Sequence, residues 1–243
     1  MALRGFHRVC VGVEGGRNLF AVARAVARRE RGRTCRESAP STRIIATVSA
    51  STGSSSRNVE RANALVRLFA EPGPGFASFR PVSAAEIPQP ARGLLDHDSH
   101  MTVAMERLHG TPLGLRVVAR ARDAGVAAPW YAREILLLSP EGEVVQHGIV
   151  RIDLSHVDAA TAARIRAARV PLGRVLIDAG LFREVKDVGL LEVVPGPRLA
   201  SLFGRLPQPG HPVVTTWGRV AQMSLSSHPA VELLEVVAPQ RPA

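Results

Sequence analysis

Two charged residues stand within apolar stretches of the sequence, where a charge needs a partner. Arg133 lies in the middle of residues 130–138, and Glu235 lies in the apolar stretch 230–237. A guanidinium can hold a carboxylate through two parallel hydrogen bonds, and a carboxyl group in apolar surroundings can transfer a proton. Both residues are therefore candidates for a site that binds or converts an organic acid. Alternation along a strand leaves open whether Arg133 points into a pocket or outward to a surface acid.

Glu232 competes with Glu235 for the inner side of the last apolar stretch. Because side chains alternate between the two faces of a strand, residues three positions apart point to opposite sides. Only one of these glutamates can therefore face a pocket. By the same rule, His147 and Arg151 share a face with Ile149, and they could supply further acid-binding groups or lie on the solvent side.

Histidines and acids cluster around one predicted helix. His97 and His100 could bind a metal ion if both lay on one helical face. No third ligand from a remote part of the chain is evident, so we expect the cluster to cap the helix and pack over a pocket, and we expect no metal. The sequence has no Walker loop, no Gly-x-Gly-x-x-Gly turn after a strand and no nucleophile elbow, so no cofactor is expected. The cluster comprises Asp96, His97, Asp98, His100 and His109.

The elements that must position these residues occur in the order helix, helix, strands, helix, strands. Apolar residues at helical spacing, a cap at Asp98 or Ser99 and a stop at Gly110 indicate helices, and residues 140–143 indicate a hairpin. Hairpin-connected neighbours predict an α+β fold with a single antiparallel sheet and helices packed on one side. We predict helices over 58–70, 98–109 and 158–169, a turn or short helix over 171–177, strands over 113–120, 130–138, 144–154, 181–194, 213–225 and 229–237, and a loop over 195–212.

Most of the net charge of +10 belongs to the first part of the chain. Residues 1–58 contain eleven arginines, three acids and both cysteines, and they end in a serine-rich stretch, so we expect a disordered leader. A transit-type targeting peptide and upstream sequence translated from an early start codon remain alternatives. We expect a folded domain over 59–239 and a tail over 240–243. The lack of cysteine and of a long apolar run in that domain favours a cytoplasmic protein.

Four stretches, in this order along the chain, resemble the chorismate pyruvate-lyases, including the divergent branch found in actinomycetes and archaea. Each motif alone is weak, but the four together span most of the chain. The sequence departs from the family pattern at Ile149, where the family has a second arginine, with Arg151 two residues further on, and in the long loop 195–212. The four stretches are residues 94–102 with Glu106 and Gly110, residues 131–138 with the hairpin 141–143, residues 171–176, and residues 217–219 followed by Ser226, Pro229 and Glu235.

The resemblance implies a chorismate-lyase-like fold with the ligand buried between the sheet and the helices. It also implies a lyase that removes pyruvate from chorismate and leaves 4-hydroxybenzoate, without a metal or a redox cofactor. It implies that Arg133 binds a carboxylate of the substrate. It also implies that Glu235 hydrogen-bonds the ring hydroxyl or handles a proton at the adjacent carbon. The spacing from Pro229 favours Glu235 over Glu232 for this position.

The same resemblance assigns further residues to the substrate. The backbone N–H groups of Leu172 and Gly173 would hold a carboxylate oxygen, and Met101 would line the face of the ring. Because the gain of aromaticity drives such a reaction, the protein mainly positions the substrate and stabilises developing charge. The expected substrate-binding residues are Arg133, Leu172, Gly173, Met101, Thr102 and Arg151, with Glu235 and Arg133 as the catalytic pair.

Two other functions remain open. The same fold could process a different biosynthetic intermediate by elimination, dehydration or cyclisation, because a fold does not fix a function. It also resembles the effector-binding domain of some bacterial transcription regulators, which would make the chain a non-enzymatic module for small acids, although residues 1–58 show no convincing helix-turn-helix. In each case the expected partner is a small aromatic or pre-aromatic carboxylate, with no specific nucleic acid and no membrane. The sequence does not indicate an oligomeric state.

Overall fold

The structure, a computed structural model, describes residues 49–121, 130–181, 185–205, 214–225 and 227–239. These residues belong to one compact unit, Ile45–Ala243. The expectations for residues 1–48 and for the tail 240–243 lie outside the described residues. Among the described helices, none is long and apolar enough to cross a membrane.

Seven described strands form one sheet, and each neighbouring pair in it is antiparallel. This sheet confirms the predicted α+β class with a single antiparallel sheet. Strands that follow one another along the chain also pair with each other, as in β2–β3–β4 and β6–β7. Across the sheet the order is β1-β5-β6-β7-β4-β3-β2. The strands are β1 (Ala77–Pro81), β2 (Gly114–Ala121), β3 (Trp130–Leu138), β4 (Val144–Asp153), β5 (Val185–Pro195), β6 (Thr216–Leu225) and β7 (His228–Val237).

Six α-helices are described, and most of their ends follow from local sequence signals. Asp158 caps the fourth helix by accepting a hydrogen bond from the backbone of Thr161 at 2.9 Å. Gly110 ends the third helix in a left-handed conformation, as its sequence predicts. The helices are α1 (Ser49–Val66), α2 (Ala91–Leu95), α3 (Met101–His109), α4 (Ala159–Ala167), α5 (Leu172–Asp178) and α6 (Pro197–Leu202).

Buried clusters show which face of the sheet each helix covers. Ile165 of α4 belongs to the same cluster as Met223 of β6, and Met105 of α3 belongs to a cluster with Leu137 of β3. Helices α2 to α5 therefore cover the face on which Leu137 and Met223 lie. Helices α1 and α6 contribute to a third cluster, on the other face, with Ile149 of β4.

Some element boundaries differ from the sequence prediction. Helix α1 begins at Ser49, within the serine-rich stretch, rather than at Asn58. A helix that is already nucleated extends at little cost per residue, so the packed turns around Leu65 can carry weaker helix formers upstream. Helix α3 begins at Met101, so neither predicted cap is used. Leu108, in its last turn, is 49% exposed.

Helix α6 lies inside the stretch that we predicted to be a loop. Pro197 stands in its first turn, where the missing N–H is harmless. Gly196 precedes it and donates a hydrogen bond to the carbonyl of Phe76 at 2.8 Å. A Cβ at Gly196 would lie 2.0 Å from the carbonyl oxygen of Pro74, so only glycine permits this approach. Gly196 and Pro197, which are residue types common in loops, therefore hold the start of a short helix against the chain near Phe76.

Candidate ligand-binding site

A cavity lies between the sheet and helices α3 and α5. Its volume, counted as the space open to the centres of water molecules, is about 60 Å³. Such a space suits a small organic ligand.

Six of the seven residues predicted for the site line this cavity. Strands β3 and β7 supply the two charged ones, and the N-terminal turns of α3 and α5 supply the others. The predicted residues that line it are Arg133, Glu235, Met101, Thr102, Leu172 and Gly173. The fold therefore brings together residues from four separated parts of the chain.

Arg151 is the predicted site residue that the structure places elsewhere. It lies on the face covered by α1, where its Nε donates to Oε2 of Glu232 at 2.7 Å. Gly148 and Val150 of β4 border the cavity, and strand alternation directs the side chain of Arg151 away from it. The structure therefore places Arg151 outside the cavity that the other predicted residues line. The same alternation puts Glu232 outside the cavity and Glu235 inside it.

Arg133 is buried in the cavity wall without an ionic partner. The residue is only 1% exposed, and no carboxylate within the described part of the chain forms an ion pair with it. Its terminal nitrogens donate to the carbonyls of Ile165 and Val170 over 3.3 and 3.4 Å, and Nε has no hydrogen-bond partner among the described residues. Burial lowers the pKa of the Arg133 guanidinium from its usual value. A buried cation in this state is costly unless an anion joins it.

Arg219 is a cavity residue that the sequence analysis did not assign to the site. It is fully buried, and its Nε donates to Oε2 of Glu235 at 2.7 Å. Its terminal nitrogens donate to the carbonyls of Leu95, His97 and Ser99 at 3.3, 2.8 and 3.3 Å. Like Arg133, Arg219 is a charged residue within an apolar strand, so the same sequence signal marks it as a candidate site residue. Arg219 thus ties the segment before α3 to the last strand.

The histidine cluster contributes one residue to the cavity. His100 lines it beside Gly173, where an added Cβ would lie 3.0 Å from Nδ1 of His100. Burial, reinforced by the positive charges of Arg219 and Arg174, lowers the pKa of His100 to about 4. His97 accepts a hydrogen bond from the backbone N–H of Ser99 at 3.1 Å. Among the described residues, no group of three or more potential ligands is placed to hold a metal ion.

Gln146 and Gly148 form a further part of the cavity wall that sequence patterns did not indicate. Gln146 is 2% exposed, and its Oε1 has no hydrogen-bond partner among the described residues. In the register of the sheet, Gln146 lies opposite Leu137 and Val150 opposite Arg133. Along the strand direction, the backbones of Gln146 and Arg133 are therefore offset by four residues, or roughly 13 Å.

A second buried polar cluster lies on the other face of the sheet. Glu134 is fully buried and accepts hydrogen bonds from both terminal nitrogens of Arg198 at 2.8 and 2.6 Å. His147, also fully buried, lies 2.9 Å from the same carboxylate. Burial raises the pKa of Glu134, but the hydrogen bonds from His147 and Arg198 outweigh it and lower the pKa to about 2. His147 therefore belongs to this cluster and neither faces solvent nor lines the cavity.

Comparison with known proteins gives likeness in fold alone. No family model matches the sequence, and no curated protein matches it. Among solved structures, PhnF from Mycobacterium smegmatis is 15% identical over 58% of this chain and 64% of its own, with a TM-score of 0.44. The effector domain of PhnF is 16% identical over 58% of this chain and 88% of its own, with a TM-score of 0.42. The C-terminal domain of the histidine utilization repressor from Pseudomonas syringae is 10% identical over 54% of this chain and 96% of its own, with a TM-score of 0.38.

These matches do not assign a ligand or an activity to this chain. The chain spans 64% of the length of PhnF.

Proposed function

We propose that the domain binds a small organic acid in this cavity and acts as a ligand-binding module, with the carboxylate of the acid held by Arg133. The observation that carries the proposal is the state of that guanidinium, which is buried, faces the cavity and lacks a carboxylate partner among the described residues. An incoming carboxylate would form charge-assisted hydrogen bonds with it and relieve its desolvation.

Two features favour binding over catalysis. The carboxylate of Glu235 is engaged by Arg219, so it is not free to act as a general base without breaking that ion pair. Among the described lining residues, Glu235 is also the only carboxylate, so no second acidic group there could take over this role. A ligand that leaves the pair intact and fits the existing space needs no rearrangement of the site.

The proposal is tested by titrating the full chain with 4-hydroxybenzoate and with benzoate in a calorimeter. Saturable binding is expected, and Arg133→Ala should weaken it by at least about 30-fold, because a buried charge pair is worth roughly 2 kcal/mol or more. Arg151→Ala is the matched control, since it removes an arginine from the same sheet outside the cavity. Equal binding by the wild type and Arg133→Ala would rule the proposal out.

A lyase acting on chorismate is the second candidate, and one observation favours it. The residues that the family resemblance assigns to the substrate, Arg151 excepted, line a single cavity. The test is to incubate the full chain with chorismate and to follow pyruvate and 4-hydroxybenzoate. Formation of both products, lost in Glu235→Gln, would support the lyase. Binding without turnover would support the ligand-binding module, or an enzyme for a different biosynthetic intermediate.

A further inference from the structure

The cavity contains two guanidinium groups and one carboxylate, and these differ in how they are paired. Arg219 and Glu235 form an ion pair with 2.7 Å between Nε and Oε2. Arg133 faces the same cavity without such a partner among the described residues. The cavity therefore holds one neutralised pair and one uncompensated positive charge.

Arg219 has little capacity left for a ligand. Its Nε binds Glu235, and its terminal nitrogens donate to three main-chain carbonyls of the segment before α3, those of Leu95, His97 and Ser99. A ligand carboxylate could form two parallel hydrogen bonds with this guanidinium only by displacing Glu235 or one of these carbonyls. Each displaced group would then be left buried without its partner, which is unfavourable.

The other titratable group of the cavity wall adds no charge near neutral pH. His100 lines the cavity, and burial, with help from Arg219 and Arg174, lowers its pKa to about 4. Arg174 itself is paired with Glu106. Among the described lining residues, His100, Arg133, Arg219 and Glu235 are the titratable ones, so the cavity carries a net charge of +1.

We infer that the site selects acids with a single negative charge and rejects acids with two, and that Glu235 determines this specificity by neutralising Arg219. The inference rests on the proposed function, because it assigns the ligand charge for the same cavity. A monoanion compensates Arg133 and leaves the cavity neutral, whereas a dianion of the same shape buries one carboxylate without a counter-charge. Chorismate, with two carboxylates, falls in the rejected class.

The experiment compares ligands of equal size that differ by one charge. One pair is 4-carbamoylbenzoate and terephthalate, and a smaller pair is succinamate and succinate. Binding to the full chain is measured by calorimetry near neutral pH. In the wild type the monoanion should bind at least about ten-fold more tightly than its dianion, in whichever pair fits the cavity.

A change at Glu235 should reverse this order. Glu235→Gln keeps a carbonyl oxygen for the Nε of Arg219 but removes the negative charge, so the cavity carries two positive charges and the dianion should bind more tightly. The double variant Arg219→Gln/Glu235→Gln restores a net charge of +1, and with it the preference for the monoanion. Circular dichroism checks folding, and the double variant, which buries no unpaired charge at these positions, serves if the single variant does not fold.

The outcomes separate the two proposals. Equal binding of monoanion and dianion by the wild type, or an unchanged preference in Glu235→Gln, would overturn the specificity inference while leaving Arg133 as the anion site. Preference for the dianion in the double variant would overturn it as well. If no monoanion binds to the wild type, the proposed function itself fails.

Discussion

Arg133 and Glu134 are consecutive residues of β3 whose side chains lie on opposite faces of the sheet and differ in their pairing. Glu134 accepts hydrogen bonds from Arg198 and lies 2.9 Å from Nε2 of His147. Arg133 faces the cavity, and its terminal nitrogens donate to two main-chain carbonyls, over 3.3 and 3.4 Å. One face of the strand therefore carries a buried acid with two cationic or polar partners, and the other carries a buried cation beside the cavity.

A first prediction concerns the stability of the protein without ligand. Arg133→Met should raise the free energy of unfolding by about 1 kcal/mol or more, because it replaces a buried unpaired charge by an apolar side chain of similar length. Arg219→Met should lower it by about 3–5 kcal/mol, because it leaves the carboxylate of Glu235 without its partner. Urea unfolding at neutral pH measures both. A loss of stability in Arg133→Met comparable to that in Arg219→Met would mean that Arg133 is a structural residue.

A second prediction concerns the floor of the cavity. A Cβ at Gly148 would lie 3.3 Å from Cδ1 of Ile135 and would project into the lining. Gly148→Ala should therefore weaken the binding of 4-hydroxybenzoate by roughly ten-fold, the effect of crowding a packed site by about 1–2 kcal/mol. Gly114→Ala is the control, since its Cβ would meet Leu138 outside the cavity at 3.4 Å. Unchanged binding in Gly148→Ala would show that the ligand does not use this part of the cavity.

A third prediction concerns acid stability and the Glu134 cluster. The pKa of Glu134 falls from 4.5 to about 2 on folding, so its carboxylate contributes stability that is full above about pH 4.5 and is lost as the pH falls toward 2. The contribution is on the order of 3 kcal/mol. Urea unfolding at several pH values should show a smaller loss in Glu134→Gln than in the wild type over this window. Parallel pH profiles for the two proteins would contradict it.

A fourth prediction concerns His100. Its pKa is lowered by burial from 6.5 to about 4, so the unfolded chain binds a proton more readily, and stability falls as the pH drops from 6.5 toward 4. His100→Gln should remove this part of the decline, because glutamine does not titrate. Thermal unfolding across that pH range, at constant ionic strength, measures the effect. A decline of the same size in the variant would show that other groups cause it.

The sequence by itself determined the antiparallel α+β architecture and most of the candidate site. The apolar stretches of β3, β4 and β7 have the length and composition of buried strands, and the turn between β3 and β4 has hairpin residues. A charge in the middle of such a strand is unusual enough to mark Arg133 and Glu235 from residue types alone. The motif resemblance then indicated Met101, Thr102, Leu172 and Gly173, which line the same cavity.

Only the tertiary structure decided which faces and which partners these residues have. Strand alternation places the side chains of Arg151 and Val150 on opposite faces of the sheet. It does not determine which face holds the cavity, because that depends on where α1 and α5 pack. The pairing of Arg219 with Glu235 likewise requires β6 and β7 to adopt one register. Contacts between distant segments depend on the packing of the whole chain, whereas the period of a strand and the cost of a buried charge are local properties of the sequence.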